Sequence, residues 1–282
     1  MPSAESPVGQ ITRGTTGTNR LRRVDRWIAR QPALRHADDP LVVDLGYGAS
    51  GVTAFELQAR LARTRPDVEV RGLEIDPARV ASARAQLESV RSGSTPFRPD
   101  AAVSFARGGF EVPLPGGRRP AVIRAMNVLR QYDEAEVAGA WARMASRLAP
   151  GGLLVEGTCD EIGRVCTWVA VGPDGAPQTL SLSLRLSSLE STTISPPISP
   201  SIAAERLPKA LIHRNVPGER VHALFADLDR EWERAARMSA FGAVQRWRSA
   251  VGALAAFGWP IGDRSRWRLG ELTVPWSAVA PR

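Results

Sequence analysis

The sequence predicts an α/β fold organised on a doubly wound, mostly parallel sheet. Three observations carry that expectation. Between residues 41 and 155, short apolar runs alternate with stretches of helical periodicity, the pattern of strands joined by crossover helices. The first run, Leu41-Val42-Val43-Asp44-Leu45, stops at a glycine-rich turn, Gly46-Tyr47-Gly48-Ala49-Ser50-Gly51, that opens directly into a helical stretch. Beyond residue 163 two β-like runs flank Gly172-Pro173-Asp174-Gly175, which reads as an antiparallel hairpin.

Composition narrows the class. A length of 282 residues suits one large domain, or one domain with an appended piece. Hydrophobic residues make up 43%, enough for a core, and no apolar run approaches the length of a membrane helix. Residues 1–10 lack the basic and apolar regions of a signal peptide. A soluble, cytoplasmic protein without a membrane partner is expected. The net charge of +8 and the pI of about 10.9 admit a nucleic-acid partner. The distribution does not favour one, because Lys209 is the only lysine and the arginines form no long block. Cys159 and Cys166 lack C-x-x-C spacing and have no histidine nearby. They read as two free thiols around a strand, and no metal site is expected.

Taken in order, residues 1–18 read as a flexible tail of small polar residues. Asn19 can cap a helix running to Arg30, with Leu21, Val24, Trp27 and Ile28 on one face. That helix either packs on the sheet edge or, with Thr15-Thr16-Gly17, forms a lid over a ligand. After the glycine turn, residues 52–64 form a helix with Phe55, Leu57 and Leu61 inward. Residues 68–75 are a second strand, and Pro77 opens a helix to about residue 90. Residues 101–106 and 120–126 are the third and fourth strands. A helix over residues 133–148 buries Val137, Trp141, Met144 and Leu148, and Pro150-Gly151-Gly152 turns it into strand five. In the hairpin of residues 164–171 and 179–186, Ser181, Ser183 and Arg185 alternate with leucines, which predicts one wet face. The core domain is therefore placed at residues 19–186.

Residues 187–200 are a Ser/Pro-rich loop, and residues 201–282 a helical C-terminal extension packed on the core. Residues 218–238 and 241–257 are its amphipathic helices. Four of the eight tryptophans lie beyond residue 240. They are either core between helices and sheet or an aromatic pocket for an acceptor, with His213, Arg214 and His222 as its polar residues.

The site reading centres on the glycine turn. Gly46 and Gly48 allow a ligand to lie against the main chain, and the helix amides beyond point into the same space. With Gly51 they satisfy G-x-G-x-x-G, which an NAD(P) enzyme would share. Asp44 argues for a different ligand, since a carboxylate repels a pyrophosphate and favours an ammonium group. Glu74, at the end of the second strand, is placed to accept both hydroxyls of a ribose.

The run Val42-Val43-Asp44-Leu45-Gly46-Tyr47-Gly48 resembles the first motif of the class I S-adenosylmethionine (SAM)-dependent methyltransferases. Glu74-Ile75-Asp76-Pro77, Asn127-Val128-Leu129 and Leu148-Ala149-Pro150-Gly151-Gly152 resemble later family stretches, so the likeness runs over about residues 41–171. It implies a Rossmann-like sheet of seven strands with an antiparallel sixth and seventh. It also implies SAM as cofactor, held by Asp44, Gly46, Tyr47, Gly48, Glu74, Ile75, Phe110 and Asn127.

Two departures stand out. Arg130 replaces the family's histidine after Asn-Val-Leu, and Gly108-Gly109-Phe110 lacks the acid that commonly meets the adenine. Phe110 could stack on the base instead, or be a buried loop residue. Tyr47, Arg130, Tyr132, Asp160 and Glu161 are candidates for contact with a small-molecule acceptor, from their expected place at strand ends. No catalytic residue is assigned, because displacement at a methyl carbon needs a base only where the nucleophile must lose a proton.

The resemblance thus implies methyl transfer to an unidentified acceptor, with a SAM-binding module lacking turnover as the alternative. Thr158-Cys159 superficially matches RNA cytosine-5 methyltransferases, but Ala125-Met126-Asn127 stands where those carry Pro-Cys.

Overall fold

The computed structural model describes residues 6–190 and 198–282. Eight strands are hydrogen-bonded in the order β3-β2-β1-β4-β5-β6-β7-β8. They are β1 (Leu41–Leu45), β2 (Glu69–Glu74), β3 (Val103–Arg107), β4 (Val122–Met126), β5 (Leu153–Cys159), β6 (Val165–Val171), β7 (Pro177–Leu184) and β8 (Glu271–Pro275). β1 pairs in parallel with β2 and β4, and β2 with β3. β5 to β8 run antiparallel. The sheet has one strand more than the sequence suggests, because the C-terminal region contributes β8 against β7.

Crossover helices explain the parallel half. Every residue of β1 and β4 is buried, as expected of strands covered on both faces. α1 (Arg22–Ile28), the short α2 (Pro32–Arg35), α3 (Val52–Leu61), α4 (Pro77–Arg91) and α5 (Glu134–Ala145) accompany these strands. α4 begins where expected: Pro77 occupies its first turn and the Asp76 carboxylate accepts the Ala78 N–H at 2.8 Å. A capping box of Asp133 and Glu136 starts α5. α1 is shorter than expected. Asn19 takes a left-handed φ of 60° and donates its N–H to the Glu56 carboxylate instead of capping the helix.

The described chain divides into two compact units. The first comprises Met1–Glu156, Glu161–Gly163 and Val171–Ala176; the second comprises Gly157–Asp160, Arg164–Ala170 and Pro177–Arg282. The division thus falls within β5.

The second unit adds α6 (Leu186–Leu189), α7 (Lys209–Ile212), α8 (Arg220–Arg234) and α9 (Ala243–Ala256). α8 buries Val221, Leu224, Phe225, Leu228 and Trp232, the stripe read from its periodicity. Trp232, Trp247 and Trp267 are core, and Arg246 lies over the Trp232 ring at 3.9 Å. Ser181 and Ser183 are buried, so the expected wet face of the hairpin is covered. The turn Pro200–Arg206 packs on β7, and Ser181 hydrogen-bonds Thr273 of β8 at 2.7 Å. Much of the predicted Ser/Pro-rich loop, residues 191–197, lies outside the described residues.

Cys159 and Cys166 form a disulfide, which overturns the reading of two free thiols. The hairpin between β5 and β6 brings their Cα atoms to 4.1 Å, a closeness their spacing in sequence does not reveal. Among the described residues no helix is long and apolar enough to cross a membrane.

Candidate ligand-binding site

The strand order reverses between β1 and β4, and the carboxyl ends of β1, β2, β3 and β4 meet the glycine turn there. Gly46 and Gly48 take φ of 67° and 85°, the left-handed region that residues with a Cβ avoid. The Gly46 N–H donates to the Leu73 carbonyl at 2.7 Å, which ties the turn to β2. Glu74 ends β2 beneath it. Its carboxylate accepts the N–H groups of Gly48 at 3.0 Å, Ile75 at 2.9 Å and Asp76 at 3.4 Å. Three amides hold it beside the turn, while four lone-pair positions leave it capacity for a further donor. The Gly51 N–H at the start of α3 is already taken by Gln86 Oε1 at 2.9 Å.

Asp44 is used differently from the expectation. It and Arg124 are register partners on β1 and β4. Arg124 donates Nε to Asp44 Oδ1 at 2.9 Å and lies 2.7 Å from Oδ2 through Nη2. The Thr53 hydroxyl donates to Oδ2 at 2.9 Å. The other Arg124 nitrogen, Nη1, pairs with Asp25 of α1, which Arg60 also meets at 2.6 Å. Arg124 and Asp25 are fully buried. Burial works against the Arg124 charge, but Asp44 and Asp25 outweigh it and hold the guanidinium protonated. Burial pushes the Asp25 carboxyl above its usual range, against the pull of Arg124 and Arg60. Asp44 is thus committed to an internal cation, because an arginine inside an apolar strand must have a buried partner.

Of the other expected residues, Tyr47, Phe110 and Tyr132 are buried and Asn127 is partly buried. Tyr47 packs edge-on against Phe105 at 5.1 Å. Burial raises the Tyr47 phenol, and the Glu74 and Asp44 charges raise it further. Phe110 lies 5.3 Å from Tyr132, ring to ring. Asn127 follows β4 with φ 63°, a strained conformation of the kind that gathers at functional sites. Arg130 and Glu161 are exposed. Asp160 falls in the second unit, where it lines a cavity of about 500 Å³ with Arg164, Arg185, Glu205 and Arg206.

The segment read as a flexible tail is bonded across these strand ends. Val8 donates to Glu111 at 2.7 Å and accepts from the Phe110 N–H at 2.8 Å. The Gln10 main chain pairs with the Tyr132 hydroxyl. Arg79 donates to the Thr12 carbonyl at 2.7 Å, and the Arg13 N–H to Gln131 at 3.1 Å. The Ala49 N–H donates to the Gly14 carbonyl at 2.9 Å. Space in the cleft is correspondingly small. One cavity of about 20 Å³ is bounded by Thr15, Thr16, Asp44, Gly46, Tyr47 and Asn127, and another of about 10 Å³ by Gln10, Glu74, Ile75, Phe110 and Tyr132. Such volumes hold about one water each. Residues 8–16 fill most of the cleft above these groups.

Sequence reading missed Arg124, Asp25, Arg79, Glu111 and the segment 8–16. Only Arg124 gave a signal, as a charge inside the apolar run Val122-Ile123-Arg124-Ala125-Met126.

No family model and no curated protein matches this sequence. Solved structures are similar to part of it. The CcbJ methyltransferase from Streptomyces caelestis is 22% identical, covers 59% of this chain and 71% of its own, and gives a TM-score of 0.37. The magnesium protoporphyrin IX methyltransferase ChlM from Synechocystis, with bound S-adenosylhomocysteine (SAH), is 18% identical over 49% of this chain and 53% of its own, TM-score 0.35. An O-methyltransferase family 2 protein from Planctomyces limnophilus, in complex with apigenin, is 18% identical over 53% of this chain and 40% of its own, TM-score 0.36. This chain spans less than half the length of several such structures, 37% for an O-methyltransferase family protein from Burkholderia thailandensis. At TM-scores below 0.5 these likenesses reach neither the activity nor the acceptor of this chain.

Proposed function

We propose that the chain binds SAM at the glycine turn and transfers its methyl group to a small-molecule acceptor. The observation that carries this reading is the Glu74 carboxylate, held by the Gly48, Ile75 and Asp76 amides beside the turn at the topological switch point. A carboxylate so placed, with one lone-pair position left, suits a ribose hydroxyl of a nucleoside ligand.

Gly46 and Gly48 let the ligand approach the main chain, Ile75 and Phe110 flank the base, and Tyr47 and Asn127 border the amino-acid end. Asp44 acts through Arg124, fixing the end of β1 rather than meeting the ligand. Bound SAM would supply an electrophilic methyl carbon on a sulfonium. The chain's own work is to orient the acceptor in line with it and keep water out. Arg130, Tyr132 and Glu161 are the candidate acceptor contacts within the first unit. The Tyr132 phenol is pushed up by burial, so it is protonated at neutral pH and serves as a hydrogen-bond donor rather than a base.

Calorimetric titration with SAM, SAH and NAD tests the reading. Binding of the first two and not the third is expected. In Glu74→Gln the SAH dissociation constant should rise by about 10–100-fold, the worth of a hydrogen bond to a charged acceptor. An unchanged constant would remove Glu74 from the site. A second reading, binding without turnover, rests on Arg130 in place of the family's histidine and on the acid missing from Gly108-Gly109-Phe110. Methyl transfer to any acceptor would exclude it.

A further inference from the structure

Residues 8–16 combine two properties that rarely coincide. They are bonded to four places in the cleft: the glycine turn at Ala49, Arg79 on α4, the loop at Glu111 and Phe110, and Tyr132 with Gln131. Yet no residue from 6 to 19 is buried, and Ile11 is 58% exposed. Hydrogen bonds to the main chain hold the segment, with little apolar burial behind them. Segments of that kind open at low free energy.

What they bond to is what the cleft would offer a nucleoside. The Ala49 N–H belongs to the glycine turn. A Cβ on Gly9 would lie 3.0 Å from Ile75 Cδ1 and 3.5 Å from the Phe110 ring, the pair that would flank a base. A Cβ on Gly48 would lie 2.6 Å from the Gly14 carbonyl oxygen, so the segment presses on the turn itself.

We infer that residues 8–16 are a displaceable internal occupant of the ligand cleft, competing with the nucleoside-bearing ligand for the same donors and side chains. The inference rests on the function proposed above. Ligand entry requires the strap to leave, so the apparent dissociation constant is the intrinsic one divided by the fraction of chains with the strap released. The docked strap and the bound ligand are alternative states of one cleft.

The test uses the full chain and SAH. Hydrogen exchange is followed at the Val8, Gln10 and Arg13 amides, each bonded in the docked strap. Saturating SAH should make these amides exchange faster. Slower or unchanged exchange overturns the inference, since a lid closing over the ligand would protect them. The variant Gly9→Val/Gly14→Val loosens the strap from within. Those glycines have φ of 127° and 70°, and a Cβ on Gly14 would lie 2.4 Å from the Arg79 guanidinium carbon. β-branched residues do not tolerate such angles.

The variant should bind SAH at least about tenfold more tightly than the parent. Equal or weaker binding overturns the competition while leaving the SAM reading intact. Binding of SAH to neither chain overturns that reading and the inference together.

Discussion

Among the described residues, replacing Arg124 by Met removes the only cation that Asp44 meets and one of two that meet Asp25. The side chains are similar in length, so the core keeps its volume and loses its charge. Two carboxylates then remain at 0% and 2% exposure. Asp25 retains Arg60 at 2.6 Å, whereas Asp44 retains only the Thr53 hydroxyl at 2.9 Å. Removing one partner from a buried pair costs about 3–5 kcal/mol, because the other charge is left uncompensated. For a unit of this size that lowers the melting temperature by about 10 °C.

The pH dependence supplies a sharper signature. In the variant, the Asp25 carboxyl, already held above the ordinary 3.8 by burial, loses the Arg124 charge that pulls it down and rises further. A raised carboxyl contributes stability that is full below the unfolded value and lost as pH rises through the folded one. The deficit of Arg124→Met against the parent should therefore be large at pH 8 and shrink at pH 5. Thermal unfolding by circular dichroism at both pH values measures it. A loss under about 1 kcal/mol at pH 8, or a deficit equal at both, would refute the buried-cation account.

Glu156 gives a second pH effect. Burial pushes its carboxyl up to about 8, only partly opposed by the Trp141 indole at 3.3 Å. Its raised pKa makes the parent lose stability as pH rises between the ordinary 4.5 and about 8. Glu156→Gln should flatten that slope, and an identical slope in a pH series of unfolding free energies would count against it. The Cys159–Cys166 bond predicts no reactive thiol in the oxidised native chain on titration with a thiol reagent. Reduction should destabilise the second unit by about 2–3 kcal/mol, the loop-closure worth of a short ring.

The parallel half of the fold was legible because its signals are local. Apolar runs, the Gly46-Tyr47-Gly48 turn and Pro77 each announce an element within a few residues. β8 was not, since Glu271-Leu272-Thr273-Val274-Pro275 becomes a strand only by pairing with β7, about ninety residues upstream. The buried serines of β7 misled for the same reason. Alternation shows that the two faces differ in polarity, whereas the burial of each is set by residues far along the chain, such as Thr273 of β8 beside Ser181.

In the site, Gly46, Gly48 and Glu74 stand together as the spacing implied. Asp44 showed the limit of reading a motif by itself: its partner lies eighty residues away on another strand. Residues 8–16 were misread because small polar composition describes both a loose tail and a chain bonded through its main chain.

The Asp44–Arg124 pair has a consequence for how the sheet is indexed. Parallel strands rich in Val and Leu slide past one another with little penalty when their side chains are interchangeable. β1 and β4 offer Leu41, Val42, Val43 and Leu45 against Val122, Ile123, Ala125 and Met126. A shift of one residue would carry Arg124 level with Val43 or Leu45 and turn its side chain to the opposite face. Only one alignment sets the guanidinium against the carboxylate. That charge pair therefore works as a notch, bringing the glycine turn after β1 and Asn127 after β4 to the same height.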